Sequence, residues 1–350
     1  MSHMSTLDRS IFDTRAVDPQ ERFAVWRDSI NVVFDAKIDM RITPTRFHAQ
    51  VDATALGQIV LGRITSETQS FERSQQKILS DGLDSYIVQV FTKGHCEVQD
   101  GRTVRQVRPG DIYIIDASAP LQAVDYGFQT VSAVIPRNLL SRRLVSADGH
   151  HRRVIPRETA LGKLLYGFIL SLDANRAEMT LDEGLASIEP LLSLTESILN
   201  ARSEQASVSL DDAAIDFAVV NAVLDFIDDN LGDPALSPEM IASALGLSRS
   251  RLYRLFHHLD GIASEIRRRR LRRSLHDLLN AGQRGLQVSE IAYRWGFNSD
   301  SDYIRAFKRQ YGLTPGQAKV ARSAVLASDP QQDKTATEQS YDAWIRAFAR

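Results

Sequence analysis

Ile241-Ala242, Gly246-Leu247, Ser250, Leu252, Arg254, Phe256 and Gly261 come back further along the chain as Ile291-Ala292, Gly296-Phe297, Ser301, Tyr303, Arg305, Phe307 and Gly312. The offset is 50 residues through the glycines (296 against 246) and 51 from the serines onward (301 against 250). A match that survives a one-residue insertion is a repeated supersecondary unit rather than chance. Each copy reads as helix, tight turn, helix, over 237–258 and 288–311. Ser237-Pro238-Glu239 supplies a capping oxygen, a proline at the first helical position and an acid at the positive end of the helix dipole. Gly246 and Gly296 can take the positive φ that ends a helix. Ser299-x-x-Asp302 resembles a capping box at the start of the last helix.

At 100° per residue, Leu252, Leu255, Phe256 and Leu259 share one side of the first copy's second helix, leaving Ser250, Tyr253, Arg254 and His257 outward. In the second copy, Tyr303, Ile304 and Phe307 form the core side, and Ser301, Asp302, Arg305 and Lys308 point away. Each helix thus presents an arginine near the middle of its polar face. A major groove admits an α-helix, and arginine pairs there bidentately with guanine O6 and N7. A polar face alone is what any surface helix shows, but two arginines at equivalent places need a common reason. Charge points the same way. From Met240 to Val320 there are 15 Lys/Arg and 6 Asp/Glu, a balance of +9, while the whole chain carries −2, so the remainder carries −11. One segment is built for a polyanion and the rest for something else.

The remainder of the 350 residues has a different texture. Arg22 to Val33 has helical spacing, with Phe23, Trp26, Ile30 and Val33 on one side. From Phe47 to Ile135 short strands alternate with turn signals. They include Tyr86 to Phe91, then His95 to Gln99 and Arg102 to Val107 flanking the Asp100-Gly101 turn, and Ile112 to Ile115 after Pro109-Gly110-Asp111. This spacing predicts an antiparallel barrel or sandwich. Helices follow over Leu161 to Leu172 and Leu181 to Leu199. The expected organisation is a domain over 5–200, a linker over 201–210, a helical domain over 211–320 and a tail over 321–350. Met1-Ser2-His3-Met4 reads as a tag remnant ahead of a natural start at Met4. Cys96 is the single cysteine, which excludes a disulfide framework within one chain and fits a reducing, cytoplasmic setting. No apolar run of about 18 residues occurs, so no membrane span is expected.

Ile291-Ala292-x-x-x-Gly296-Phe297, then Ser301-x-Tyr303-x-Arg305-x-Phe307-Lys308 and Gly312-x-Thr314-Pro315, resembles the signature of the AraC/XylS regulators, over Ala222 to Gln317. The resemblance implies seven helices, with two recognition helices held by a central helix, here Ile262 to Leu279. It implies a regulator that binds promoter DNA and, as the family's usual mode, activates through RNA polymerase, although repression is equally compatible with these residues. The expected DNA-binding residues are Arg249, Ser250, Tyr253 and Arg254 in the first copy, and Ser299, Asp300, Ser301, Arg305 and Lys308 in the second. Helical geometry places Asp300 nearer the core side than the resemblance does. Asp300 and Asp302 put negative charge where many relatives are neutral, and Ala318-Lys319 replaces an aromatic–arginine pair, which predicts weaker phosphate contact there. The run Arg267 to Arg270 with Arg272 and Arg273 either neutralises phosphate or pairs with acids such as Glu265 and Asp277.

Arg22-Phe23-x-x-Trp26-Arg27, Gly101-Arg102 and Pro109-Gly110-Asp111-x-x-x-x-Asp116 with Pro120 resemble the cupin-like sensor domain of one AraC branch. That implies an α+β chain: a cupin-like antiparallel β-barrel with flanking helices, then an all-α tandem helix-turn-helix domain. It also implies a small organic effector and a homodimer. Either Tyr86, Val88 and Val90 or the alternate set Ile87, Gln89 and Phe91 faces the interior; Tyr86, Val88, Val90 and His95 are taken as effector candidates. Two rival readings are a cupin enzyme fused to a DNA-binding module and a regulator answering to a protein partner. Against the enzyme, His95 and Glu97 are too few for a metal, with His48 far upstream and Cys96 on the opposite face. No metal, cofactor or catalysis is expected. His150-His151-Arg152-Arg153 reads as a solvated loop.

Overall fold

The computed structural model describes residues 7–31, 33–39, 42–201, 210–257, 261–279 and 286–320. The expected tag remnant, most of the expected linker, Leu259 and the tail lie outside them. The chain divides into two units, one holding 7–140 and 150–199 and the other 141–149 and 200–320.

The first unit is built on ten antiparallel strands: β1 (Arg9–Asp13), β2 (Asp35–Ile38), β3 (Ala49–Leu56), β4 (Ile59–Ser66), β5 (Gln69–Arg73), β6 (Ser85–Asp100), β7 (Thr103–Val107), β8 (Ile112–Asp116), β9 (Leu121–Pro136) and β10 (Arg153–Ile155). The expected closed barrel is not formed. The hydrogen-bonded path runs β1-β3-β4-β9-β6-β8-β10 and ends at β1 and β10. The reason lies in β6 and β9, each 16 residues long, which change partners along their length. β6 pairs β8 through residues 86–90 and β7 through 96–100, and β9 pairs β5 through 121–125 and β4 through 128–134. The sheet therefore branches instead of closing. Its end strands are short, five residues in β1 and three in β10, which limits what another strand could add.

The two strands expected at Tyr86–Phe91 and His95–Gln99 are one strand, β6, with register shifts between Phe91 and His95. Gly94 makes this possible. It has φ +70°, and a Cβ there would lie 2.3 Å from the Tyr126 carbonyl oxygen. The hairpin after it closes on Asp100 paired with Thr103, so its two loop residues are Gly101 and Arg102. Helix α1 (Arg22–Ile30) buries Trp26, whose indole Nε1 donates to Gln69 Oε1 at 2.8 Å. Helices α2 (Gln75–Asp81), α3 (Arg137–Leu140) and α4 (Ala160–Asn175) follow. The helix expected over Leu181 to Leu199 is two, α5 (Leu181–Ala186) and α6 (Ile188–Asn200), broken at Ser187. Pro190 accounts for the break, since its ring and missing N–H cannot continue a preceding helix.

The expectation of a solvated loop at His150–Arg153 is overturned. His150 is 6% exposed. His151 Nδ1 accepts from the Asp116 amide at 3.1 Å, and Nε2 lies 3.0 Å from the Pro120 carbonyl, which requires the proton on Nε2. Arg153 donates to the Leu199 carbonyl at 2.7 Å, serving the C-terminal end of α6.

The second unit contains α7 (Leu210–Asp229), α8 (Pro238–Ala244), α9 (Arg249–Phe256), α10 (Ile262–Leu279), α11 (Val288–Arg294) and α12 (Asp300–Tyr311), with a further helical turn over 315–320. Over 210–320 that makes seven helical segments among the described residues. α7 to α10 share a core of Val223, Leu224, Ile227, Ile241, Leu252, Phe256, Ile262 and Ile266. The second copy is held by a row of rings, Phe297, Tyr303, Phe307 and Tyr311, with successive centroids 5.0, 5.7 and 4.7 Å apart.

Candidate nucleic-acid interface

The turns of the two copies are built identically. In the first, Gly246 (φ +64°) follows the C-cap Leu245, and the Leu247 amide donates back to the Ala242 carbonyl at 2.8 Å. In the second, Gly296 (φ +69°) follows Trp295, and the Phe297 amide donates to Ala292 at 3.1 Å. This is the Schellman arrangement, in which a left-handed glycine lets the chain reverse and satisfy the last carbonyls. Each recognition helix then opens on a serine cap. Ser248 Oγ accepts from the Arg251 amide at 3.2 Å and Ser299 Oγ from the Asp302 amide at 3.1 Å. Only the serine half of the expected box at Ser299 is made. The inserted residue in the second copy is Asn298, between the turn and the cap.

These caps fix which side chains point outward. On α9, Arg249, Ser250, Tyr253, Arg254 and His257 are exposed, while Leu252, Leu255 and Phe256 are buried. On α12, Asp300, Ser301, Ile304, Arg305 and Lys308 are exposed, and Tyr303, Ala306, Phe307 and Tyr311 are buried. Two details differ from the helical projection. Ile304 is 37% exposed, because Ala306 and the aromatic row fill the core in its place. Asp300 is exposed, since the first residue of a helix has no preceding turn to cover it. Arg254, Arg305 and Lys308 have no carboxylate partner among the described residues. Arg249 lies 3.7 Å from Glu239 at the surface, and Arg251 is drawn to Asp216 at 3.3 Å.

The arginines of α10 divide sharply. Arg268 and Arg269 both bind Glu265, and Arg269 also pairs with Asp228 at 2.6 Å. Arg268 and Arg272 bind Asp148. Arg270 donates to three carbonyls, those of Leu231 (3.0 Å), Asp233 (2.5 Å) and Gly296 (2.9 Å), and so clamps the second turn to the loop after α7. Burial lowers its pKa. Arg267 and Arg273 are left exposed, Arg267 lying 3.5 Å from Asp302. Asp277 instead accepts from Trp295 Nε1 at 2.9 Å, with Arg294 at 3.4 Å. Lys319 is tied to the Leu286 carbonyl at 2.9 Å, and Ala318 is buried. Nothing local to α10 points to Asp148 or to the carbonyl clamp, because both are long-range.

The first unit holds a cavity of about 70 Å³, lined by Val33, Phe71, Ile87, Ile115, Phe128 and Val134 among apolar residues, and by Gln89, Cys96, Tyr113, Asp125 and Ser132. The pleat places Ile87 and Gln89 at it. Tyr86, Val88 and Val90, fully buried, lie on the other face, where Arg137 donates to the Tyr86 hydroxyl. His95 does not line it either: its ring stacks on Tyr126 at 4.5 Å, and the Tyr126 hydroxyl donates to Glu97 at 3.1 Å. His48 lies 3.4 Å from Asp13. Burial pushes the Cys96 thiol pKa up, and desolvation raises Asp125, fully enclosed beside it, to about 7. Among the described residues no group of three or more His, Cys, Asp or Glu is placed to hold a metal, and no helix is long and apolar enough to cross a membrane.

Residues 26–200 match the AraC-binding-like domain and 241–320 a helix-turn-helix domain. The transcriptional activator NphR of Rhodococcus sp is 26% identical over 315 residues, 87% of this chain and 90% of its own. A probable thc operon regulatory protein of Rhodococcus erythropolis is 23% identical, covering 77% and 85%. An uncharacterized protein in the nit 5' region of Bacillus sp. (strain OxB-1) is 27% identical, covering 68% and 92%. The crystal structure of the AraC-like transcriptional activator CuxR shares the fold, with a TM-score of 0.54 at 24% identity, covering 77% of this chain and 96% of that one. With an AraC-binding-like domain followed by a tandem helix-turn-helix domain, the chain belongs to the AraC/XylS family and is a DNA-binding transcription regulator rather than an enzyme.

Proposed function

We propose that this regulator activates transcription in the cytoplasm by laying α9 and α12 in successive major grooves of double-stranded promoter DNA, under the control of a small organic effector bound in its first unit. The observation that carries the DNA reading is the pair Arg254 and Arg305, equivalent in the repeat, exposed, and without carboxylate partners among the described residues. Arg249, Ser250 and Tyr253 flank the first arginine, and Ser299, Asp300, Ser301 and Lys308 the second. α10 has 18 residues, which at ~1.5 Å each gives about 27 Å of rigid spacer, against about 34 Å between grooves on one face. Modest bending of the duplex covers the difference. One protomer then reads an asymmetric site of two short elements about one helical turn apart. The relative named as an activator supports activation, with RNA polymerase as partner, and the family's sensor domains support a homodimer. The domain limits 5–200, 201–210, 211–320 and 321–350 remain part of this reading.

The test is selection of binding sites from random duplexes by the full chain, then footprinting of the selected site. Arg254→Ala and Arg305→Ala should each cost about 1–3 kcal/mol on that site and relax base preference at different positions. Equal losses on selected and random DNA for both variants would remove these arginines from the readout, and protection of a single groove would remove α12.

A further inference from the structure

Building on the reading of the first unit as a sensor, we propose that its cavity takes a small uncharged molecule, about the size of a two-carbon amide or alcohol, whose oxygen is held at a polar belt of Tyr113, Gln89 and Ser132. The belt follows from register. Gln89 on β6 is paired with Tyr113 on β8 and with Ser132 on β9, so the three stand side by side across the sheet. Directly opposed side chains of this kind have Cβ atoms about 4.5–5.5 Å apart. Two residues along on the same face, Ile87 is paired with Ile115 and Val134. All six line the cavity. A polar head therefore meets one row and an apolar body the next.

The belt is built but unused. Tyr113 is 1% exposed and Ser132 7%, and neither hydroxyl has a hydrogen-bond partner among the described residues. Buried hydroxyls are ordinarily satisfied. Two in one row of one cavity call for an acceptor that the protein itself does not supply.

Charge narrows the class. No Lys, Arg or His is among the described lining residues, and Asp125 is the one carboxyl there. A carboxylate ligand would meet Asp125 and find no counter-charge, at the full cost of a buried unpaired anion. An ammonium would have nothing to offer the Tyr113 and Ser132 O–H groups, which need an acceptor. A carbonyl or hydroxyl oxygen satisfies both. Size narrows it further, since an apolar cavity of ~150 Å³ admits benzene and this one is near 70 Å³.

The experiment titrates the full chain, without DNA, with acetamide, acetate and ethylammonium by saturation-transfer NMR. Acetamide should bind saturably at one site, roughly tenfold more tightly than either charged analogue. The double variant Tyr113→Phe/Ser132→Ala should weaken the amide roughly tenfold while melting at or above the wild-type temperature, because it deletes orphaned hydroxyls. Acetate or ethylammonium matching the amide, unchanged affinity in the double variant, or no saturable amide binding up to about 50 mM, where even a ligand of about four heavy atoms should register, would each overturn the proposal. The comparison among the three probes uses wild type alone, so it stands whatever the variant does. Amide binding that leaves DNA affinity unaltered would count against the sensor reading and leave the ligand class intact. Release from DNA by a different ligand, with the amide inert, would do the reverse.

Discussion

Asp125→Asn isolates one ionisation in the core of the first unit. Desolvation raises the Asp125 carboxyl from an ordinary value of 3.8 to about 7. Across the interval between those values the folded chain keeps a proton that the unfolded chain has released. Native protein then binds more protons than unfolded, so stability falls as pH rises through the window and the loss is complete above pH 7. Each pKa unit corresponds to about 1.4 kcal/mol. From pH 5 to pH 8 the carboxyl should therefore cost the native state about 3 kcal/mol, to order of magnitude. Asparagine keeps the shape and never ionises, so the variant should escape this loss. Urea unfolding of both proteins at pH 5 and pH 8 measures it, with hydrogen exchange of β6 and β9 peptides showing that the change lies in this sheet. The variant's advantage should be about 3 kcal/mol greater at pH 8 than at pH 5. Identical pH dependence in the two proteins would show that Asp125 is ionised throughout, or hydrated, and would refute the reasoning from its burial.

Three other outcomes are expected. Arg270→Ala strips the donor from three carbonyls and should destabilise the helical unit by about 2–3 kcal/mol, read from thermal melting; a loss below about 0.5 kcal/mol would mean that water replaces the clamp. Arg267→Ala, if Arg267 meets phosphate, should weaken binding evenly across sequences and lower the slope of log K against log salt by about 0.9, and an unchanged slope would place it off the backbone. Ser237→Ala removes the oxygen that accepts from the Met240 amide at 3.3 Å and should cost about 1 kcal/mol in urea unfolding. No change there would show that Pro238 alone starts α8.

The helical half was legible because its structure is written locally. Caps at Ser237 and Ser299 and left-handed glycines at 246 and 296 follow from neighbours within a turn or so, and the extent of α10 followed from the family resemblance. Projection placed Ile304 in the core because it could not know that Ala306 would pack there with the rings. The sheet was less legible for a physical reason. Alternation marks a strand, but β6 and β9 exchange partners midway, and nothing local in Tyr86–Asp100 announces that exchange or the open edges it leaves. The pleat offered two faces at residues 86–91 with no way to choose, and the cavity lies on the Ile87–Gln89 side. His151 looked solvated because its partners Asp116 and Pro120 are more than thirty residues away.

Asn298 makes the second copy longer than the first by one residue, yet beyond it the two helices keep a common frame. Counted from the serine caps, Arg254 answers to Arg305 and Ser250 to Ser301, but Tyr253 answers to Ile304 and Arg249 to Asp300. The two helices agree at their centres and carry opposite charge at their entrances. A protein with two interchangeable heads would fit a duplex equally well in either direction. With α9 and α12 docked as proposed, this one cannot be turned end for end without exchanging a cation for an anion at the rim of each groove. The chain would then have a front and a back along the duplex, so a binding site would specify a heading as well as a position.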